Sequence, residues 1–144
     1  MYTLRQAGPD DVGAIQALER SLAAAPHSTE LLLEAIAEAK VVLAEAEEQG
    51  VVGYVRWEHF WDCIPLCLTV LVKPEHRRRG VGRRLYQHIE AAFRQRGCTF
   101  WLSSTEETNQ VSQRFHESLG FRRIGALAEL GQDVPEVFYR KDLR

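Results

Sequence analysis

The sequence predicts an α/β protein, a mixed sheet with helices on its faces, in the order βααβββαβαββ. Three observations carry that expectation. Short runs such as "YTLRQA" alternate in polarity, as a strand with one wet face does. Longer segments between them repeat apolar residues every three or four positions, as amphipathic helices do. Glycine, proline and short polar clusters separate the two kinds of segment.

Each element follows in turn. "YTLRQA" opens as a strand. "GPDDVGAIQALERSLAAA" reads as a helix, with Gly8 as N-cap, Pro9 at the first helical position, and Asp10 and Asp11 at the positive end of the dipole. Val12, Ile15, Leu18 and Leu22 form its apolar face. "HSTELLLEAIAEA" is a second helix capped by Ser28 or Thr29. "VVLAEAE", "VVGYVRWEHF" and "PLCLTVLV" are strands joined by the turns "EQG" and "WDCI", and Pro74 ends the last of them. A helix then opens at Gly80 to Gly82, runs along Val81, Leu85, Ile89 and Phe93, and closes at Gly97. "CTFWLSS" is a strand and "TNQVSQRFHESL" a short helix with Val111, Phe115 and Leu119 on its stripe. "FRRIGALAEL" and "EVFYRKDL" close the chain as an antiparallel pair.

A chain of 144 residues with 45% hydrophobic content suits one domain with a real core. A net charge of −2 argues against bulk nucleic-acid binding. No apolar run approaches the roughly 18 residues of a membrane span, and "MYTLRQAGPDD" lacks the pattern of a signal peptide. Cys63, Cys67 and Cys98 fit no metal spacing and read as reduced thiols, which points to the cytoplasm. No metal site is expected.

The densest chemical signal is "VLVKPEHRRRGVGRRLYQHI". A strand ends at proline, an arginine-rich loop follows, and two glycines lead into a helix. Glycine allows a tight turn and close approach to a ligand. The first helical turn points unpaired N–H groups outward, with the positive end of the dipole behind them. That combination is a phosphate or pyrophosphate cradle. Arg77, Arg78, Arg79, Arg83 and Arg84 surround it with positive charge. A dinucleotide fingerprint would need a third glycine where "GVGRRL" has Leu85, and a Walker loop would need Gly-Lys-Ser/Thr, which is absent. A solvated basic turn is the bland alternative. A nucleic-acid patch lacks any further basic stripe.

The loop resembles that of the GNAT superfamily of acyl-CoA-dependent N-acyltransferases, whose pyrophosphate motif reads Arg/Gln-x-x-Gly-x-Gly/Ala. Arg77, Gly80 and Gly82 fill it in register. The strand ending "TVLVKP" before it, and "NQVSQRFHESLGF" after the next strand, match in place and order, so the resemblance covers essentially the whole chain. It implies a GNAT-like fold and acetyl-CoA as co-substrate. The pyrophosphate would meet backbone N–H groups from Arg78 through Arg79, Gly80, Val81 and Gly82 to Arg83. Pantetheine would run beside the strand ending at Leu71 and Val72, almost as an added strand, where a backbone N–H would hold the thioester oxyanion. Asn109 would contact the pantetheine arm, serve as a helix N-cap, or do both. His116 stands where many members carry a tyrosine thought to protonate the departing thiolate. An imidazole can do the same chemistry, and a place beside the apolar stripe would set it at the edge of a cleft.

The acceptor is expected to be a small primary amine. Some members keep a glutamate on the strand before the loop, but "IPLCLTVLV" has none. The nearest carboxylates are Glu58 and Asp62 in "RWEHFWDCIP", among Trp57, His59, Phe60 and Trp61; Glu58 is the candidate base. Glu106 and Glu107 are others. A strand edge with core aromatics is the plain alternative for this stretch. The expected reaction is N-acetyl transfer by direct attack, without an acyl-enzyme. Acetylation of a peptide N-terminus or a lysine, and a CoA-binding module without turnover, are the other readings. The sequence allows a homodimer.

Overall fold

The computed structural model describes residues 1–144. Its strands are β1 (Tyr2–Gln6), β2 (Val41–Ala46), β3 (Gly50–Phe60), β4 (Ile64–Val72), β5 (Phe100–Glu106), β6 (Arg122–Leu127) and β7 (Glu136–Asp142). Its helices are α1 (Val12–Ser21), α2 (Thr29–Ala37), α3 (Val81–Gln95) and α4 (Gln110–Ser118). The seven strands form one mixed sheet in the order β1-β2-β3-β4-β5-β7-β6. The β4–β5 pair is parallel, and β1–β2, β2–β3, β5–β7 and β6–β7 are antiparallel. The expected order of elements and the α/β class are both observed. By compactness the chain forms two units, residues 1–58 with 69–91, and residues 59–68 with 92–144.

In the first unit, Val12, Ile15 and Leu18 of α1 and Leu32, Ala35 and Ile36 of α2 pack on Val41, Leu43 and Tyr54. The run "LLL" divides by helical geometry: Leu32 is buried while Leu31 and Leu33 are exposed. Ser28 caps α2, its hydroxyl accepting from the Leu31 N–H at 3.2 Å. The first helix departs from expectation at both ends. Pro9–Asp11 forms a 3-10 turn, and the α-helix begins at Val12. The cause is Asp11, which accepts from the Gly8 N–H at 2.7 Å and takes a two-pronged ion pair from Arg5, both contacts 2.8 Å. Arg5 holds that carboxyl below its usual range. The helix stops at Ser21 because Ala23 turns left-handed, with φ at 57°.

Gly53 marks a close approach of β3 to β4. A Cβ there would lie 2.9 Å from the Leu71 carbonyl oxygen, and nearby the Lys73 N–H donates to Val52 O at 2.8 Å. Backbone cannot yield as a flexible side chain can. Gly53→Ala should therefore displace the end of β4 and lower stability by about 1–3 kcal/mol, seen as a shifted denaturation midpoint with an unchanged m-value.

In the second unit, Phe93, Trp101 and Phe121 meet edge to face, with ring centroids 5.3 and 4.8 Å apart. Tyr139, Val137 and Leu143 are buried with them. Here the expected stripe of α4 is corrected. Val111 is 72% exposed, and the residues of α4 and its end that are buried are His116 and Leu119. The helix is rotated so that the imidazole goes inside. The strand expected over residues 121–130 ends at Leu127, because Glu129 and Gly131 take positive φ. All of β6 is exposed. The period-four residues of α3 (Val81, Leu85, Ile89 and Phe93) are all buried, as expected.

Candidate active site

The anion loop is built from β4 onward. After Val72 the chain forms a 3-10 turn over Pro74–His76. His76 is buried there, accepting from the Tyr2 hydroxyl at Nδ1 (2.8 Å) and donating from Nε2 to Gln49 Oε1 (2.5 Å). The loop then bends through two left-handed residues, Arg78 at φ 61° and Gly80 at φ 82°. Glycine takes that conformation without strain; arginine takes it at a cost. The helix begins at once, with the Arg84 N–H donating to Gly80 O at 3.0 Å. The N–H groups before it have no carbonyl within the helix to meet. Val81 is buried as the hydrophobic anchor of this turn, whereas Arg77, Arg78, Arg79, Gly80 and Arg83 are exposed. Arg77 turns back, its Nε donating to Val72 O at 3.0 Å, so it ties the loop to the end of β4. Arg84 is likewise anchored, to Tyr2 O at 3.1 Å. The expected cofactor residues Leu71, Val72 and Arg77 to Arg83 all lie in the first unit, and of these Val81 is buried.

Glu58 lies in the same unit, but its carboxylate is engaged. Oε1 meets Lys40 Nζ at 2.7 Å and Oε2 faces Arg56 Nη1 at 3.8 Å. Lys40 is buried, and Glu58 chiefly holds its ammonium above the ordinary lysine value. The rest of "WEHFWD" does not act as one wall. Trp57 is buried, while Phe60 and Trp61 meet at a tilt, ring centroids 4.6 Å apart, and are exposed. Trp61 and Asp62 carry positive φ in the turn. Glu107 faces Arg123 at 3.7 Å.

Asn109 and His116 belong to the second unit. Asn109 is the N-cap of α4, its Oδ1 accepting from the Ser112 N–H at 3.0 Å. His116 is 1% exposed, which corrects the expected place at a cleft edge. Its Nδ1–H donates to Ser112 O at 2.7 Å, and the Ser103 hydroxyl donates to Nε2 at 2.7 Å. The ring stacks on Tyr139 at 4.8 Å. Burial pushes this imidazole below its ordinary value, so it is neutral at physiological pH.

A polar cluster in the first unit was not expected. Glu19 on α1 is 1% exposed. It accepts from the Tyr54 hydroxyl at 2.9 Å and the His27 N–H at 3.1 Å, and its Oε2 also meets His27 Nδ1. Thr69 of β4 in turn bonds the Tyr54 oxygen. Burial, then Glu19, holds the Tyr54 phenol well above its ordinary value, so it stays protonated. The one available sequence signal was the position of Glu19 at i+4 from Ile15, on the buried side of an amphipathic helix. No group of three or more His, Cys, Asp or Glu side chains is arranged to hold a metal.

The mixed sheet and the glycine turn at the mouth of α3 define the class of acyl-CoA-dependent N-acetyltransferases. The family model "Acetyltransferase (GNAT) family" matches residues 12–121, and the chain belongs to that family. It is 27% identical over 128 residues to aminoglycoside N(6′)-acetyltransferase type 1 of Serratia marcescens, covering 86% of this chain and 77% of that enzyme. The chain spans only 36 to 43% of the length of three further proteins of that name. YncA of Salmonella typhimurium, solved with its cofactor acetyl-CoA, superposes with a TM-score of 0.79 at 24% identity, over 99% of this chain and 94% of that one. The ribosomal-protein-alanine N-acetyltransferase of Brucella melitensis superposes with a TM-score of 0.80 at 25% identity, over 98% and 99%.

Proposed function

We propose that the 144 residues act as one domain that transfers an acetyl group from acetyl-CoA to the primary amine of a small molecule. The observation that carries this is the left-handed turn at Arg78 and Gly80, which leads directly into the opening amides of α3 beside the exposed Arg78, Arg79 and Arg83. These groups fit a pyrophosphate. Backbone N–H groups from Arg78 to Arg83 would hold it, and the end of β4 at Leu71 and Val72 would take the pantetheine. Asn109, already a cap, would meet the pantetheine arm with its remaining amide hydrogens. The family match crosses both units, which supports treating them as one catalytic domain.

The amine nitrogen attacks the thioester carbonyl carbon, the C–S bond breaks, and the amide and free CoA result. A thiol pKa of roughly 8.5 makes the thiolate a fair leaving group. Direct attack is supported by Cys67 of β4, which is buried at 3% exposure and so badly placed to carry an acyl group. An amine pKa of roughly 10.4 means that the ammonium must lose a proton first. Glu58 is already committed to Lys40 and Arg56, and this supports an ion-pair role for it. For His116 to give a proton to sulfur, its Nδ1–H would have to leave Ser112 O. Its geometry supports a positioning role, joining α4 to β5 through Ser103. The aminoglycoside relative supports a small-molecule acceptor, and three free cysteines suit a reducing cytoplasm. No helix is long and apolar enough to cross a membrane.

The test is thiol release from acetyl-CoA against a panel of amines: aminoglycosides with a free 6′-amine, free amino acids, and peptides beginning with alanine. Turnover of a small amine at least tenfold above the peptides in kcat/KM is the expected outcome. Preference for the peptides would transfer the reading to protein N-termini. CoA binding without turnover of any amine would leave a binding module.

A further inference from the structure

We infer that the buried Arg56 guanidinium binds a carboxylate of the acetyl acceptor, which is therefore a free amino acid, with amine and carboxylate on one carbon. The inference rests on the acetyl-transfer reading and names the substrate class of its acceptor. Arg56 on β3 is 8% exposed, and its Nε has no hydrogen-bond partner. A guanidinium stays charged throughout the physiological range and only donates. Burying it is costly unless the charge is paired and its hydrogens are met. Glu58 does this poorly. Its Oε2 stands 3.8 Å from Arg56 Nη1, beyond hydrogen-bond length, while Oε1 is held by Lys40 at 2.7 Å. Lys40 is buried too, and its other partner, Glu38, lies mostly in solvent. Two buried cations thus share Glu58, itself 35% exposed. Glu19, the buried acid of the same unit, already has three donors. The guanidinium also has a second edge. Nη1 faces Glu58, whereas Nε shares the other edge with Nη2, and those parallel N–H bonds match the two oxygens of a carboxylate.

The register of β3 against β4 sets Arg56 beside the segment assigned to the thioester. The Lys73 N–H donates to Val52 O, Gly53 lies against Leu71 and Val72, and the Tyr54 phenol bonds Thr69. Numbers rise on β3 as they fall on β4. Arg56 comes two residues after Tyr54, so strand alternation puts its side chain on the same face, and its charge acts on the Tyr54 phenol. At about 3.4 Å per residue and about 4.8 Å between strands, the Arg56 backbone lies roughly 8 Å from that of Leu71. Thr69, Val70, Leu71 and Val72 are all partly exposed, so this end of β4 is open to a ligand. In an amino acid only two bonds separate the carboxylate carbon from the nitrogen. A carboxylate held at Arg56 therefore keeps the amine in the same neighbourhood. A peptide N-terminus has an amide where this carboxylate would be, and an aminoglycoside brings further positive charge to two buried cations.

A purely structural role for Arg56 would be an ion pair that stiffens β3. Arg56→Met separates the two roles, since it fills much of the same space without charge. Replacing a poorly paired buried cation by an apolar side chain is often neutral or stabilising, so the melting temperature should hold or rise. The value of kcat/KM for free alanine, methionine and phenylalanine should fall by about 10- to 10²-fold, as expected for lost hydrogen bonds to a charged group. Most of that loss should appear in KM. Wild type should prefer each amino acid to its carboxamide by about the same factor, and Arg56→Met should lose the preference. A wild type that acetylates the carboxamides or aminoglycosides as well as the amino acids overturns the inference and leaves acetyl transfer standing. An unchanged amino-acid KM in Arg56→Met overturns it as well. Calorimetry of the same amino acids and carboxamides, without and with CoA, needs no turnover. Amino-acid binding that is lost in Arg56→Met supports the inference; wild type that binds neither, or both equally, overturns it. Failure of wild type to bind CoA counts against the acetyl-transfer reading alone.

Discussion

Gly82→Glu should abolish the coenzyme A binding proposed for the glycine turn and keep its fold. Gly82 is the second residue of α3, part-buried, among the amides that open the helix. A side chain there would occupy the approach of the pyrophosphate, and its charge would oppose it. At a separation of about 5 Å and an effective dielectric of about 20, each like-charge pair costs about 3 kcal/mol. That is more than 100-fold in affinity. The same carboxylate favours the helix, because a negative group near the N-terminus gains about 0.3–1 kcal/mol from the dipole. Binding and stability therefore move in opposite directions. Calorimetry with CoA and a thermal melt on the same sample read both, and an unchanged Kd would place the cofactor elsewhere.

His116→Ala should chiefly cost stability. The substitution leaves a hole between Tyr139, Phe115 and Phe121 and removes the His116 acceptor of the buried Ser103 hydroxyl. The two effects together are worth about 2–4 kcal/mol, or roughly 5–15 °C in melting temperature for a chain of this size. A pH signature should accompany the loss. Burial lowers the folded-state pKa of His116, so below the unfolded value of about 6.5 the unfolded chain binds the extra proton and the folded chain does not. Its contribution is complete above that value and falls away as pH drops toward the lowered one. Wild type should lose stability on acidification through that window, and His116→Ala should show less of this slope. In the folded mutant, kcat should stay within a few fold of wild type. A kcat loss of about 10² or more without loss of stability would restore the direct proton-donor role.

The parts of the fold that announce themselves are those governed by local rules. The left-handed φ at Gly80 and the apolar line of α3 are set by residues close in sequence, and both form as expected. Ser28 caps α2 for the same reason. The misreadings share a different cause. On α4 the apolar letters Val111 and Phe115 suggested the buried face, yet the helix turns His116 inward because Ser103, thirteen residues away on β5, pairs with it. The length of α1 was misjudged because Asp11 answers to Arg5 on the previous strand. Glu58 looked available until Lys40, eighteen residues earlier, was placed against it. Glu19 was hidden for the same reason, since a buried acid reads as a surface acid until its donors are known. Polar burial is decided by partners that lie far along the chain, and periodicity does not encode them.

The anchoring of the anion loop has a consequence for how the molecule folds. Tyr2 reaches His76 and Arg84 across 74 and 82 residues, and His76 reaches back 27 to Gln49. The motif from Arg77 to Gly82 is six residues long, but the loop that carries it is anchored by contacts of long sequence separation. Closing such loops is slow, because the chain loses its entropy before the contact gives anything back. The helix that carries the glycine turn has the periodicity to form early and locally. The cradle at its mouth is complete only when the first strand has docked, so the loop gains its final shape only after that long-range contact has formed. A fragment beginning at residue 41 would carry every letter of the motif without the residue that shapes it.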